Sequence, residues 1–215
     1  MHPNALAHKA KMLNKQLVLS AAATTILLFR SVSSFSTTHS TITPTKPRSS
    51  ISSTKTALEM SSDIVIRDAT AADLDNLKQV IDSSELFPSE MLDDMIAGYL
   101  AGTEDCLWLT ADDPTLVAYC APEKMTECTW NLYLIAVHKN KQGTGIGTKA
   151  LQHLQEQLVA KKSARILLVE TSALPEFEQT RHFYLKMGFV EEARIRDYYQ
   201  EGEDKVVYWK SLVTK

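Results

Sequence analysis

Gln142, Gly143, Gly145 and Gly147 stand between an apolar run, 132–137, and an amphipathic run that reaches about Lys161. Strand, glycine-rich turn and helix, in that order, present backbone N–H groups to an anion at a helix N-terminus. Small residues at 143, 145 and 147 let a charged group come close to the main chain. The helix dipole then binds that charge without needing a cation. The candidate donors are the N–H groups of Gly143, Thr144, Gly145, Ile146, Gly147 and Thr148.

Two familiar phosphate-binding loops fail on register. A nucleotide-triphosphate loop needs Gly-Lys-Ser/Thr, whereas Lys149 here lies between Thr148 and Ala150. A dinucleotide fingerprint needs GxGxxG, whereas the spacing here is GxGxG and the chain before it reads as hairpins.

The elements that must position this turn follow from periodicity. Residues 64–69 read as a short first strand. Thr70 precedes a helix to about Ser83, with Leu74, Leu77, Val80 and Ile81 at helical spacing. Pro88 or Ser89 opens a second helix, with Gly98 and Gly102 bracketing its end. The runs 106–110 and 115–120 form a hairpin across Ala111-Asp-Asp-Pro114. A long strand, 126–137, leads into the glycine turn. After the amphipathic helix, 165–171 is a continuous apolar run typical of a buried strand. A last helix opens at Pro175 or Glu176 and ends at Gly188. Two terminal strands, 189–198 and 205–212, close the chain across a turn at 200–204. The order βααβββαβαββ predicts a mixed α/β sheet of about seven strands with helices on both faces, and a parallel crossover around the central helix.

Two blocks carry a resemblance. Val137 with Gln142-x-x-Gly145-x-Gly147 resembles motif A of the GNAT superfamily of acyl-CoA-dependent N-acyltransferases. Phe183-Tyr184-Leu-Lys-Met-Gly188-Phe189 resembles its motif B. With the element order, the likeness covers roughly residues 63–213. It implies a GNAT-like fold in which the fourth and fifth strands splay apart, and an acetyl-CoA co-substrate. The pyrophosphate would sit on the turn. The pantetheine would lie along the exposed edge formed by Ile135, Ala136 and Val137. The reaction implied is transfer of an acetyl group to a primary amine of a small molecule or protein by direct attack. An N–H near Ile135 would polarise the thioester carbonyl, as an oxyanion hole does. Tyr184 would be the general acid, since motif B places a tyrosine where the CoA sulfur lies.

The general base is less plainly marked. In an unbroken strand, Glu127, Thr129, Asn131 and Tyr133 share one face. Glu127 is the acid in that row and the first candidate, although Asn131 sits nearer the place where many family members carry glutamate. Glu170, at the end of the fifth strand, is the second candidate. Thr171-Ser172 replaces the asparagine many members carry there. The competing class is a catalytically silent acyl-CoA-binding module on the same fold. The loops 83–90 and 196–205 vary in this fold and would hold the acceptor, with Phe87-Pro88 as a wall.

Composition narrows the partners. Residues 1–58 hold seven basic residues and no acid, which leaves 16 basic against all 26 acidic residues beyond, a net charge of −10. An acidic domain suits a cationic acceptor and not nucleic acid. Cys106, Cys120 and Cys128 lack metal or redox spacing and read as small buried hydrophobes rather than thioester carriers. His138, His153 and His182 show no ligand spacing, so no metal is expected. Arg181 and Lys186 are either CoA-phosphate partners or solvated. Residues 1–60 read as a presequence: signal-like over 1–34, with an apolar stretch 16–29 too short to span a bilayer, then transit-like and Ser/Thr-rich over 35–60. Plastid delivery is expected, with the mitochondrion as the alternative. Residues 61–215 form the acetyltransferase domain, with a homodimer as one option for its assembly and no stable membrane span expected.

Overall fold

The computed structural model describes residues 64–213, so the expected presequence lies outside the described residues. Seven strands form one sheet in the order β1-β2-β3-β4-β5-β7-β6. They are β1 (Ile66–Asp68), β2 (Leu107–Ala111), β3 (Leu116–Pro122), β4 (Thr129–Val137), β5 (Ile166–Ser172), β6 (Val190–Gln200) and β7 (Glu203–Ser211). The helices are α1 (Leu74–Ser84), α2 (Leu92–Leu100), α3 (Ile146–Lys162) and α4 (Glu178–Lys186). The predicted order holds throughout. Every neighbouring pair is antiparallel except β4–β5, which flank α3 and run parallel.

Burial explains the layering. All five residues of β2 and the first five of β3 are buried in succession, so helices must cover both faces of the sheet there. Across that centre runs an aromatic ladder. Trp108 pairs with Tyr119, ring centroids 4.5 Å apart, and Tyr119 stacks on Tyr133 at 5.7 Å. Each such pair adds about 0.5–1.5 kcal/mol beyond its buried area, and together they fix Tyr133 on β4. The first helical segment is tied down by charge. Arg67 Nη2 and Nη1 grip the two oxygens of Asp73 at 2.8 and 2.9 Å, and the Thr70 N–H donates to the same carboxylate at 2.8 Å. The Arg67 guanidinium holds the Asp73 carboxyl well below the usual carboxylate range.

The feature that decides function lies on β4. Tyr119 pairs with Leu134 but Cys120 pairs with Leu132, so β4 takes two steps for one of β3 and Tyr133 is the extra residue of a β-bulge. On the other side, β4–β5 pairing runs only from Thr129↔Ile166 to Leu132↔Val169. β5 then continues to Ser172 paired with β7 alone. The sheet thus parts at the bulge, leaving 133–137 without a strand on that edge.

Three boundaries differ from expectation. Gly98 lies inside α2, where an added Cβ would fall 2.3 Å from Glu104 Cδ; only Gly102 lies beyond the helix end. The Glu104 side chain lies over that glycine. The stretch 196–205, expected as a loop, is mostly the β6–β7 hairpin, tightened by Asp197 Oδ1 accepting from the Gly202 N–H at 2.8 Å. The strand expected from residue 126 begins at Thr129, and the residues before it form a turn in which Met125 and Cys128 take φ of 60° and 59°.

Candidate active site

The turn after β4 has the geometry an anion needs. Gly143 and Gly145 take φ of 76° and 86°, a left-handed conformation costly for residues with a Cβ. Gly145 is the N-cap of α3, and the helical hydrogen bonding opens with the Lys149 N–H donating to Gly145 O at 3.0 Å. The N–H groups of Ile146, Gly147 and Thr148 precede that first bond and have no carbonyl within the helix. They point from a positive helix end. The turn is held from beneath, leaving its outer side open: Gln142 Nε2 donates to Val137 O at 3.1 Å, and Thr144 Oγ1 donates to Lys141 O at 2.6 Å. The Ser83 hydroxyl at the end of α1 accepts from the Lys139 N–H at 3.3 Å. Among the described residues, chain neighbours apart, none comes within 4 Å of a Cβ built on Gly143 or Gly145.

The open edge leads away from this turn. The His138 N–H donates to Thr115 O at 2.9 Å. By the alternation of an antiparallel ladder, Ala136 and Leu134 therefore also turn their backbone groups to β3, while Ile135 and Val137 turn theirs to the side that β5 has left. The Val137 carbonyl is taken by Gln142; the Ile135 groups have no strand to bond. This is the arrangement that accepts an extended amide-bearing chain as an added strand.

Tyr184 is fixed by the end of its helix. Gly188 lies in the left-handed region at φ 81°, its N–H donates to Leu185 O at 3.0 Å, and the Phe189 N–H donates back to Tyr184 O at 3.1 Å. That is a Schellman cap, and it packs Phe189 against the Tyr184 ring, centroids 5.7 Å apart. The Gly-Phe of the second block thus serves to hold the tyrosine. Tyr184 is fully buried between Phe183, Phe189 and Tyr208. Burial pushes its hydroxyl well above the usual tyrosine range, so it stays protonated as a donor. No group among the described residues hydrogen-bonds that hydroxyl. Phe183 reaches under the turn, 3.8 Å from where a Gly147 Cβ would stand, beside Val137 at the same distance.

The acids fall differently from expectation. Glu127 lies exposed in the turn before β4, and its backbone carbonyl accepts from Arg165 Nη2 at 3.0 Å. It shares no face with Asn131, because the positive-φ residues at 125 and 128 break the strand that alternation assumed. A different carboxylate takes the place. Glu123 follows β3, its N–H donates to Thr129 O at 2.8 Å, and its Oε1 accepts from Asn131 Nδ2 at 2.8 Å and from the Tyr133 hydroxyl at 3.1 Å. Nothing in the sequence near 123 marks it; it arrives from the neighbouring strand. Glu170 reaches the same region but is paired with Lys205 Nζ at 3.0 Å, and Lys205 also lies 3.8 Å from the Tyr198 ring centroid. The Tyr133 and Tyr199 hydroxyls are raised by burial first, and then by Glu123 and Glu170 respectively.

Several other candidates are engaged within the fold. Arg181 Nη1 donates to the carbonyls of Ser172 and Leu174, both at 2.8 Å, and so clamps the β5–α4 connection. Cys106 and Cys120 are buried, and burial raises the Cys120 thiol. His138 Nδ1 accepts from the Asn140 N–H and His153 bonds Gln157. Among the described residues, no group of His, Cys, Asp and Glu could hold a metal ion, and no helix is long and apolar enough to cross a membrane.

A seven-stranded mixed sheet that parts between two parallel strands beside a glycine-rich helix start is a fold of the N-acetyltransferase class. Residues 103–191 match the family model of the acetyltransferase (GNAT) domain. Over those residues the chain is similar to GNAT acetyltransferases, and the fold, this match and the relatives below together support an acyltransferase. It is 24% identical over 147 residues to an uncharacterised N-acetyltransferase of Methanocaldococcus jannaschii, covering 68% of this chain and 91% of that one. A provisionally assigned GNAT-family acetyltransferase from Desulfovibrio desulfuricans superposes with a TM-score of 0.64 at 26% identity, covering 70% of this chain and 99% of the other. A provisionally assigned acetyltransferase from Salmonella typhimurium, solved with its cofactor acetyl-CoA, superposes with a TM-score of 0.58 at 17% identity over 72% and 96% of the two chains.

Proposed function

We propose that this chain moves an acetyl group from acetyl-CoA to a primary amine of a small molecule or protein, by direct attack of the amine on the thioester. The observation that carries the reading is the parting of β4 from β5 after Leu132↔Val169, beside the unbonded N-terminus of α3. The N–H groups from Gly143 to Thr148 hold the pyrophosphate, with exposed Lys139 and Lys141 near them. The pantetheine adds to the free edge of β4 through Ile135 and Val137. The Ile135 N–H polarises the thioester carbonyl, in the manner of an oxyanion hole. Tyr184 gives its proton to the leaving CoA thiolate. The acetyl-CoA bound by the Salmonella protein supports this co-substrate.

The acceptor is a cationic amine in this reading, supported by the net charge of −10 beyond residue 58 and by the acids gathered near Tyr133. The full chain, given acetyl-CoA and a panel of polyamines, amino-sugars, amino acids and peptides, should release free CoA with at least one cationic class. Tight acetyl-CoA binding with no turnover on any class would instead make the chain a silent acyl-CoA-binding module.

Residues 1–60 deliver the domain to a plastid in this reading, on the strength of an apolar stretch followed by an acid-free Ser/Thr-rich one. Fused to a fluorescent reporter in a plastid-bearing cell, they should carry it to that organelle. Accumulation in mitochondria would overturn the assignment.

A further inference from the structure

We propose that Glu123 is the general base of this acetyl transfer and takes the proton of the acceptor amine, an assignment that rests on the N-acetyltransferase reading above. Three observations place it. The pyrophosphate site follows Val137, so the acyl chain runs back along β4 and its thioester end approaches Tyr133. The free edge from Tyr133 to Val137 is about 13 Å long at the usual rise of a strand. At its closed end, where β4–β5 pairing stops at Leu132, Tyr133 and Asn131 together hold Glu123 Oε1 at 3.1 and 2.8 Å. The carboxylate is therefore oriented by two side chains of the strand along which the thioester lies. Its second oxygen, Oε2, accepts no hydrogen bond among the described residues.

The other acids do not compete. Glu170 is committed to Lys205 at 3.0 Å. Glu127 is solvent-exposed in the turn, on the far side of the positive-φ residue Cys128. Tyr133 is a donor and not a rival base, since burial and the Glu123 charge keep its hydroxyl protonated.

The protons balance as follows. An alkylammonium gives one proton to the Glu123 carboxylate, directly or through one water, and Glu123 passes it to solvent. The freed amine forms the C–N bond to the acetyl carbon as the C–S bond breaks. Tyr184 protonates the departing thiolate and regains a proton from the new amide nitrogen. The products are the N-acetyl amine, CoA thiol and one released proton.

The role also assigns two positioning residues. Asn131 and Tyr133 hold the carboxylate and do not touch the amine. Two residues apart on β4, 131 and 133 lie on one face of the strand, which lets both meet the same oxygen.

The test uses the full chain and an amine it acetylates. Glu123→Gln keeps the shape and one acceptor oxygen for Asn131 and Tyr133. It should lower kcat about 10²-fold or more, the usual worth of general base catalysis, with acetyl-CoA affinity unchanged. Glu123→Ala should regain turnover when sodium formate is added, since a small carboxylate can enter the vacated space; a residue with a merely structural role would not be rescued this way. Glu127→Gln should behave as the unsubstituted chain. Full activity in Glu123→Gln, or a Glu123→Ala variant that binds acetyl-CoA but does not respond to formate, overturns the assignment. An unsubstituted chain inert toward every amine sinks the acetyltransferase reading and this one with it; an active chain beside an equally active Glu123→Gln sinks this one alone.

Discussion

Replacing Gly145 with tryptophan should abolish acetyl-CoA binding, lowering affinity at least about 100-fold in a calorimetric titration. Two effects combine. Gly145 holds φ at 86°, where a residue with a Cβ costs about 1–2 kcal/mol. The indole must then occupy the space in front of the N–H groups of Ile146, Gly147 and Thr148, where the pyrophosphate is to sit. Among the described residues, chain neighbours apart, none comes within 4 Å of the added Cβ, so the fold should accept the ring and only the ligand should be excluded. Gly145→Ala separates the two effects. It carries the backbone strain without the bulk and should weaken binding by a factor of about ten or less. A tryptophan variant that binds acetyl-CoA normally would mean that the turn is not the site.

Removing the hydroxyl of Tyr184 should have the second largest effect. Tyr184→Phe is expected to lower kcat by about 10²-fold, in the range for loss of a general acid, with KM for acetyl-CoA nearly unchanged. The pattern is that of an interaction made only in the transition state. Stability should change little: the hydroxyl has no protein partner among the described residues, and a phenylalanine ring keeps the contacts with Phe183, Phe189 and Tyr208. A buried tyrosine whose proton is held more tightly than usual is a weak acid. The same low-dielectric surroundings also make the thiolate a stronger base, so the transfer remains favourable where the two meet. Equal kcat values for the two proteins would remove Tyr184 from the reaction and leave it as part of the aromatic cluster.

What could be read from the chain divides by the range of the interactions involved. The glycine turn was legible because its information is local. Positive φ at Gly143 and Gly145, the helix start at Ile146 and the free N–H groups after it all follow from residue types within a few positions. The same holds for the block around Tyr184, where Gly188 and Phe189 close the helix by a Schellman cap built from its own last turn. Gly98 misled because its reason is not local. It sits within α2 with the Glu104 side chain, six residues on, lying over it, and a glycine at that spacing reads equally well as a helix end.

The general base shows the limit most clearly. Alternation along an assumed strand pointed to Glu127 and required two things that only long-range pairing settles. One is where β4 begins: the bonds from Glu123 N–H to Thr129 O and from Arg165 N–H to Cys128 O place its start at Thr129. The other is the course of the chain before it, where Met125 and Cys128 at positive φ break the alternation. Glu123 becomes visible only when β3 is laid antiparallel beside β4, eight and ten residues from its partners Asn131 and Tyr133.

The sequence by itself determined the order of the elements, the glycine turn at the helix start and the capped helix end that holds Tyr184, because each depends on backbone preferences and hydrogen bonds within one or two turns of chain. The tertiary structure decided where β4 and β5 part, which carboxylate stands at that point, and that Glu170 is neutralised by Lys205. Those depend on register, on a single extra residue in one strand, and on charges brought together from β5 and β7.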